Sequence, residues 1–132
     1  TFAIPAWDRF MEINRFNNDI MAVEYTINRA KITAMSKTTN VGVCVEEDKI
    51  SIYDVGFPRG TNPCNGTLLF ATVPRGVNTR ISSGMRGVIF DPRGFDILEE
   101  GSICIYNTEL NIFYRIIISR GTQRVEKGSG SC

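Results

Sequence analysis

Hydrophobic residues near the start of the chain recur at spacings of three and four positions. Positions 5 to 36 contain no glycine and no internal proline. This pattern predicts one long amphipathic α-helix over these residues. The apolar stripe of the helix consists of Trp7, Phe10, Ile13, Phe16, Ile20, Val23, Ile27, Ala30 and Ala34.

The remaining positions of this helix carry mostly polar side chains, which we expect to form a half-solvated face. These polar residues include Asp8, Glu12, Arg15, Asn18, Asp19, Arg29 and Lys31. Pro5 fits the first turn of a helix, where the missing N–H of proline would be unpaired in any case. It fits a kink equally well if more helix precedes it.

The predicted helix is long for so small a protein. The residues from Pro5 to Ser36 span about 48 Å at a rise of about 1.5 Å per residue, whereas a compact domain of this size has a radius of gyration of about 14 Å. One end of the helix should therefore project. The uncharged segment from Phe2 to Trp7 lies at that end. It is either a terminus that folds back on the domain or the stump of a longer hydrophobic helix.

After Lys37 the period of the pattern changes to two, which is typical of β-strands. Turn residues such as Asn65-Gly66 and Pro92-Arg93-Gly94 separate the strand-like runs. About eight strands after one long helix predict an α+β fold, in which the helix packs on antiparallel β-sheets. The runs are 41–45, 49–55, 67–73, 77–81, 87–91, 95–98, 102–107, 112–119 and a short segment at 123–126.

The chain length predicts a single domain. Its 132 residues suffice for one hydrophobic core. The longest uncharged stretch, 60–74, is interrupted by asparagine, proline and glycine. We therefore predict no transmembrane span within this sequence.

The composition is most informative in its lack of histidine. Histidine is the usual general base and a common metal ligand, so catalytic triads and histidine-based metal sites are excluded. Two acidic clusters, 46–48 and Asp96 with Glu99 and Glu100, offer carboxylates for Ca²⁺ or for acid–base chemistry. Both lie on predicted turns, where solvated charge is the ordinary explanation. We therefore expect no metal site and no cofactor, and a secreted enzyme that uses carboxylates alone stays a minor alternative for which no residue pair stands out.

Four cysteines, Cys44, Cys64, Cys104 and Cys132, occur singly near the ends of strand-like runs or of the chain. They form no C-x-x-C pair, which disfavours zinc binding and thioredoxin-type chemistry. Their distribution indicates two disulfides in an oxidising compartment, with buried free thiols as the alternative. Three pairings of four cysteines exist, and the spacing does not choose among them.

The net charge of +1 conceals alternating blocks of charge. Segments 74–95 and 115–132 each carry +3, and segment 96–114 carries −4. Such blocks favour pairing across strands or contact with a neighbouring subunit. A surface for DNA phosphates is the alternative. The basic residues for that alternative are Arg75, Arg80, Arg115, Arg120, Arg124 and Lys127.

Three stretches resemble the type IV pilin-like proteins, and more closely the FimT and GspH group of minor pilins and pseudopilins. The first is the helix that opens with residues 3–7 and continues through 29–34 into a strand reaching Cys44. The second is 87–94, which is similar to a strand and turn of the type Ile-x-Phe-x-Pro-x-Gly. The third is 101–104 followed by 114–121, which resembles the C-terminal hairpin of that group. Segment 48–83 contributes nothing to the likeness.

This resemblance implies a pilin-like fold and a role as a fibre subunit rather than an enzyme. Residues 1–37 would be the C-terminal part of the N-terminal pilin helix, and 38–132 the β-rich globular head, together forming one domain. In that family an apolar helical segment of about twenty residues precedes this part. It anchors the precursor in the inner membrane, with the head in the periplasm, and later packs in the pilus or pseudopilus, in some cases at the cell surface.

The implied partners are other minor and major pilins or pseudopilins, and the implied job is priming or capping fibre assembly. A small-molecule substrate is not implied. The resemblance assigns contacts with neighbouring helices to the apolar end of the helix. The residues expected to make these contacts are Phe2, Ile4, Pro5, Trp7 and Phe10.

The resemblance also bears on the cysteines and on DNA. A Cys104–Cys132 disulfide would tie the C-terminal tail to the hairpin, as pilins commonly do, although segment 128–131 also looks like a linker. Some members of the group bind DNA through a Gly-Arg-x-Arg motif near the C-terminus. Here Gly121-Thr122-Gln123-Arg124 lacks the first arginine. This departure weakens the DNA-binding alternative.

Overall fold

One helix and eight strands follow one another along the described part of the chain. The computed structural model describes residues 6–46, 48–56, 62–76, 78–83, 88–95, 100–119 and 122–130. The elements are α1 (Ala6–Lys37), β1 (Val41–Glu46), β2 (Lys49–Asp54), β3 (Thr67–Thr72), β4 (Thr79–Ser83), β5 (Val88–Phe90), β6 (Glu100–Asn107), β7 (Ile112–Ser119) and β8 (Thr122–Ser129). The predicted α+β fold is thereby confirmed. Of the strand predicted at 95–98, Phe95 lies outside any strand, and the other positions lie outside the described residues.

The strands form two antiparallel sheets of four strands each. The first sheet has the order β3-β2-β1-β5, and the second has the order β4-β6-β7-β8. Residues with positive φ shape the turns of the two hairpins β1–β2 and β6–β7, namely Asp48 and Asn111, with φ of 58° and 55°. Aspartate and asparagine tolerate this conformation better than most residues.

Helix α1 packs its apolar stripe in one continuous core with residues of both sheets. Six of the nine predicted stripe residues are buried there: Phe16, Ile20, Val23, Ile27, Ala30 and Ala34. The other three, Trp7, Phe10 and Ile13, are exposed. The prediction that one end of the helix projects is consistent with this exposure.

Two carboxylates that we expected to be solvated are instead buried. Glu12 and Asp19 are 5% and 3% exposed. Asp19 accepts hydrogen bonds from the backbone N–H groups of Arg75 (2.9 Å) and Gly76 (3.0 Å), in the turn between β3 and β4. Glu12 accepts one from the side-chain amide of Asn107 at 2.8 Å. The expectation was wrong because these carboxylates satisfy turn and strand-end donors that would otherwise be buried without partners.

A third carboxylate joins the helix to the second sheet. The hydroxyl of Tyr114, on β7, donates a hydrogen bond to Glu24. Burial of the phenol and the hydrogen bond and negative charge of Glu24 raise the pKa of Tyr114 to about 12. Together with the contacts of Glu12 and Asp19, this bond fixes the rotation of α1 about its own axis.

A disulfide between Cys44 and Cys64 covers the outer face of the first sheet. Cys44 lies on β1 and is buried, while Cys64 lies in the segment between β2 and β3. The backbone of Pro63 lies against Gly42, where an added Cβ would come within 2.3 Å of the Pro63 carbonyl oxygen. Gly42 therefore permits the close approach that the disulfide maintains.

The second predicted disulfide is described only in part. Cys104, on β6, is disulfide-bonded. Cys132 lies outside the described residues, so the Cys104–Cys132 pairing stays a prediction. Gly128 and Ser129, at the start of the linker-like segment 128–131, belong to β8. Gly128 lies under the ring of Phe113, which an added Cβ would approach to 2.8 Å.

The turn that carried part of the family resemblance packs against the end of α1. The carboxylate of Asp91 accepts hydrogen bonds from the backbone N–H groups of Arg93 and Phe95 and from the Arg93 guanidinium. Burial alone would raise the pKa of Asp91, but these hydrogen bonds and the charge of Arg93 lower it below its ordinary value. Gly94 (φ 81°) follows, within contact distance of Lys31 and Met35.

Replacement of both cysteines in Cys44→Ala/Cys64→Ala should lower the free energy of unfolding by about 3 kcal/mol, because the bond closes a loop of 20 residues in the unfolded chain. Urea denaturation of the oxidised proteins measures this difference. An unchanged transition midpoint would show that the disulfide does not constrain the unfolded chain as argued.

Asp19→Asn should destabilise the protein by about 1–3 kcal/mol, because the amide offers one acceptor oxygen where two backbone donors need partners. Asp8→Asn is the matched control, since Asp8 is exposed, and it should change stability by less than about 0.5 kcal/mol. Thermal and urea unfolding of both variants test the difference. Equal stability of the two variants would contradict the proposed anchoring by Asp19.

Candidate functional site

A second stripe runs along α1 on the side turned away from the core. We call it the exposed stripe. At about 100° per residue its members fall within an arc of about 80°. They are Trp7, Phe10, Asn14, Asn17, Met21, Tyr25, Asn28, Ile32 and Met35, and all are exposed. The exposed stripe therefore extends over almost the full length of the helix.

The charges of the helix avoid the exposed stripe. All charged residues of α1 lie outside its arc: Asp8, Arg9, Glu12, Arg15, Asp19, Glu24, Arg29, Lys31 and Lys37. An ordinary surface helix places its charges on the face opposite the core. Here the face opposite the core is the uncharged one, which indicates that it contacts something other than water.

The apolar members of the exposed stripe are large and well exposed. Trp7, Phe10, Met21, Tyr25, Ile32 and Met35 have exposed fractions between 50% and 69%. The rings of Trp7 and Phe10 stack on each other with centroids 6.4 Å apart. Aligned apolar side chains of this size on a soluble protein are typical of an interaction surface.

A cleft lies on each side of the exposed stripe near its middle. One cleft, of about 550 Å³, separates α1 from β7 and β8 and is lined mainly by apolar side chains, including Phe16, Ile20 and Met21. The other, of about 640 Å³, separates α1 from the end of β3 and is lined by Arg15, Arg75 and smaller residues. The middle of α1 therefore stands out as a ridge that a neighbouring helix can reach.

The predicted contact residues are only partly described. Trp7 and Phe10 are exposed members of the stripe, and Phe2, Ile4 and Pro5 lie outside the described residues. Sequence reasoning missed the continuation of the stripe beyond Phe10, because the buried stripe has the same spacing of three and four. The signal that distinguishes the two stripes is the lack of charge on the side away from the core.

The described basic residues do not form one surface. Arg80, Arg115 and Arg124 lie on the face of the second sheet turned away from the core, as their register against β6 and β7 shows. Lys127 is opposite Tyr114, on the other face, and Arg75 lines the cleft beside β3. Arg120 lies outside the described residues.

Two of these arginines already have acidic partners. Arg80 lies 3.9 Å from Asp48, and Arg115 lies 3.2 Å from Glu126 on the neighbouring strand. Neither pair joins two of the charge blocks, because Asp48 lies outside all three and Arg115 and Glu126 lie in the same one. The expected pairing of the blocks with one another therefore stays a prediction. Both pairs reduce the positive potential that this face presents to an anion.

The acidic clusters offer little as a chemical site. Asp48 is engaged with Arg80, and Asp96 and Glu99 lie outside the described residues. Glu46 lies near Cys44 and Cys64, but those two sulfurs are bonded to each other and are not free thiolates for a metal.

In the described part of the chain, α1 falls short of the apolar length that crossing a bilayer requires.

Comparison with known proteins identifies the fold. No protein-family model matches the sequence, and no curated protein matches it. The structure is similar to that of the type IV minor pilin FimU of Pseudomonas aeruginosa, with a TM-score of 0.64 and 15% sequence identity, over 89% of this chain and 92% of that one. It is also similar to the minor pseudopilin EpsH from the Type 2 Secretion System of Vibrio cholerae, with a TM-score of 0.58 and 10% identity, over 80% and 91% of the two chains. The chain thus has the fold of minor pilins and pseudopilins.

Proposed function

We propose that this protein is a non-enzymatic subunit, a minor pilin or pseudopilin, of a type IV pilus or a type II secretion pseudopilus. It would act there in priming or capping fibre assembly. The observation that carries the proposal is the exposed stripe, an uncharged face along the whole of α1 in a fold shared with minor pilins and pseudopilins. In a fibre this face would pack against the helices of adjacent subunits.

The free energy of burying the exposed stripe favours packing in a fibre over a dimer of two subunits. Burial of the still-exposed half or more of each large apolar side chain contributes about 1 kcal/mol, so the six together supply several kcal/mol. Loss of translational and rotational freedom on association costs a similar amount, at least about 4 kcal/mol. A contact with one neighbour through this stripe is therefore weak. Contacts with several neighbours at once would make it stable.

The proposal includes the location of the protein. An apolar segment preceding α1 would hold the precursor in the inner membrane, and the head would lie in the periplasm before it joins the fibre. The Cys44–Cys64 disulfide supports this compartment, because structural disulfides persist where the environment is oxidising.

The DNA-binding alternative stays a prediction, and the structure adds little in its favour. Arg80, Arg115 and Arg124 share one face, but Arg80 and Arg115 have acidic partners. An isolated electrostatic surface would lose DNA affinity steeply with increasing salt. The uncharged stripe plays no part in that alternative.

The test is a charge placed on the exposed stripe of the full-length protein in the cells that produce it. Met21→Lys and Tyr25→Lys should reduce its amount in the purified fibre fraction by about tenfold or more, because a buried ammonium without a partner is costly. Leu68→Lys is the matched control, since Leu68 is similarly exposed at 55% but lies on β3. It should assemble like the unaltered protein.

Circular dichroism of the soluble heads should show the same folding for all three variants, since each replaces an exposed side chain. Normal incorporation of both stripe variants into the fibre would contradict the proposed role of this face.

A further inference from the structure

Three asparagines, Asn14, Asn17 and Asn28, belong to the exposed stripe, and two of them lie in one row of the helix surface. Reading every seventh residue from Trp7 gives Trp7, Asn14, Met21, Asn28 and Met35. Apolar side chains and asparagines thus alternate along this row. Because a straight helix drifts by only about 20° per seven residues, Asn14 and Asn28 point to within about 40° of each other, and one partner helix can contact both.

Asn14 and Asn28, the two asparagines of this row, have no structural role among the described residues. Both side chains are exposed, and neither has a hydrogen-bond partner among the described residues. Asparagine is also an unfavourable residue in the interior of a helix. By contrast, Asn40 and Asn107 are buried and hydrogen-bond to Gly56 and Glu12, so they have clear structural roles. Asn14 and Asn28 therefore need another explanation.

Solubility alone does not explain these positions. The rest of the solvent-facing helix surface is made soluble by charge, on both flanks of the exposed stripe. An amide keeps the stripe uncharged and adds both donors and acceptors of hydrogen bonds. That combination suits a position that becomes buried against another helix with a polar group opposite.

We propose that Asn14 and Asn28 set the register of the neighbouring helix that packs on the exposed stripe. This inference rests on the proposed function. The partner is the helix of an adjacent fibre subunit, with hydrogen-bonding side chains opposite the two asparagines and apolar side chains opposite Trp7, Met21 and Met35. A polar residue at one position of a helix seam is a known device for selecting register at some cost in stability.

The alternation defines which slip is prevented. A slip of seven residues, about 10.5 Å along the helix, leaves a helical packing surface but places each asparagine against an apolar side chain. The amide is then buried without a hydrogen-bond partner, and this costs more free energy than the net contribution of one hydrogen bond. Apolar packing by itself distinguishes such registers poorly, so the two asparagines supply the discrimination.

The experiment uses a photo-cross-linking phenylalanine analogue at position 21 of the full-length protein, in the assembled fibre. Mass spectrometry identifies the residues of the neighbouring helix that become linked. The unaltered stripe should give one cluster of linked residues. Asn14→Leu/Asn28→Leu should give at least two clusters about seven residues apart. The apolar contact surface remains in this variant, but these two positions no longer select one register of the neighbouring helix.

Asn18→Leu is the matched control, because Asn18 is an exposed asparagine of the same helix that lines the cleft beside β3. It should keep the single cluster. A single unchanged cluster in the Asn14→Leu/Asn28→Leu protein would overturn the register proposal while leaving the exposed stripe as a contact face. If the analogue at position 21 linked to no helix in the protein with unaltered Asn14 and Asn28, the proposed function would be overturned as well.

Discussion

The rotation of α1 about its axis determines everything that this molecule presents to a partner. Apolar residues on one side of the helix enter the core, and Glu12, Asp19 and Glu24 bind donors on the two sheets and on the turn between β3 and β4. Because these carboxylates lie along the edges of the buried stripe, a small rotation would break several hydrogen bonds at once. The uncharged side is thereby held outward over the full length of the helix.

Much of this fold could be predicted from the pattern of residues. The long helix, the change of period after Lys37 and the positions of most strands along the chain follow from local spacing and turn residues. The burial of Glu12 and Asp19 could not be predicted, because their partners, Asn107 and the N–H groups of the β3–β4 turn, lie far away in sequence. The length of strand β8 was underestimated for a related reason. A glycine such as Gly128 is typical of a linker, and its contact with the ring of Phe113 cannot be predicted from the sequence.

The candidate site was predicted only at one end. Trp7 and Phe10 stood out as apolar residues at the projecting end, but Met21, Tyr25 and Ile32 have the same spacing as core residues. The lack of charge on the side away from the core is the signal that distinguishes the two stripes. The basic residues show the reverse case: they looked like one group in the sequence, and the sheets place Lys127 and Arg115 on opposite faces.

The most direct test of the account is hydroxyl-radical footprinting of the two methionines of the exposed stripe, in the free head and in the assembled fibre. If the stripe contacts neighbouring helices, oxidation of Met21 and Met35 should slow by about tenfold on assembly, because their thioethers leave the solvent. Exposed Leu68, on β3, serves as the internal reference and should react at a similar rate in both states. Equal oxidation rates for Met21 and Met35 in the free and assembled protein would contradict the central claim that this face is where the subunit meets its neighbours.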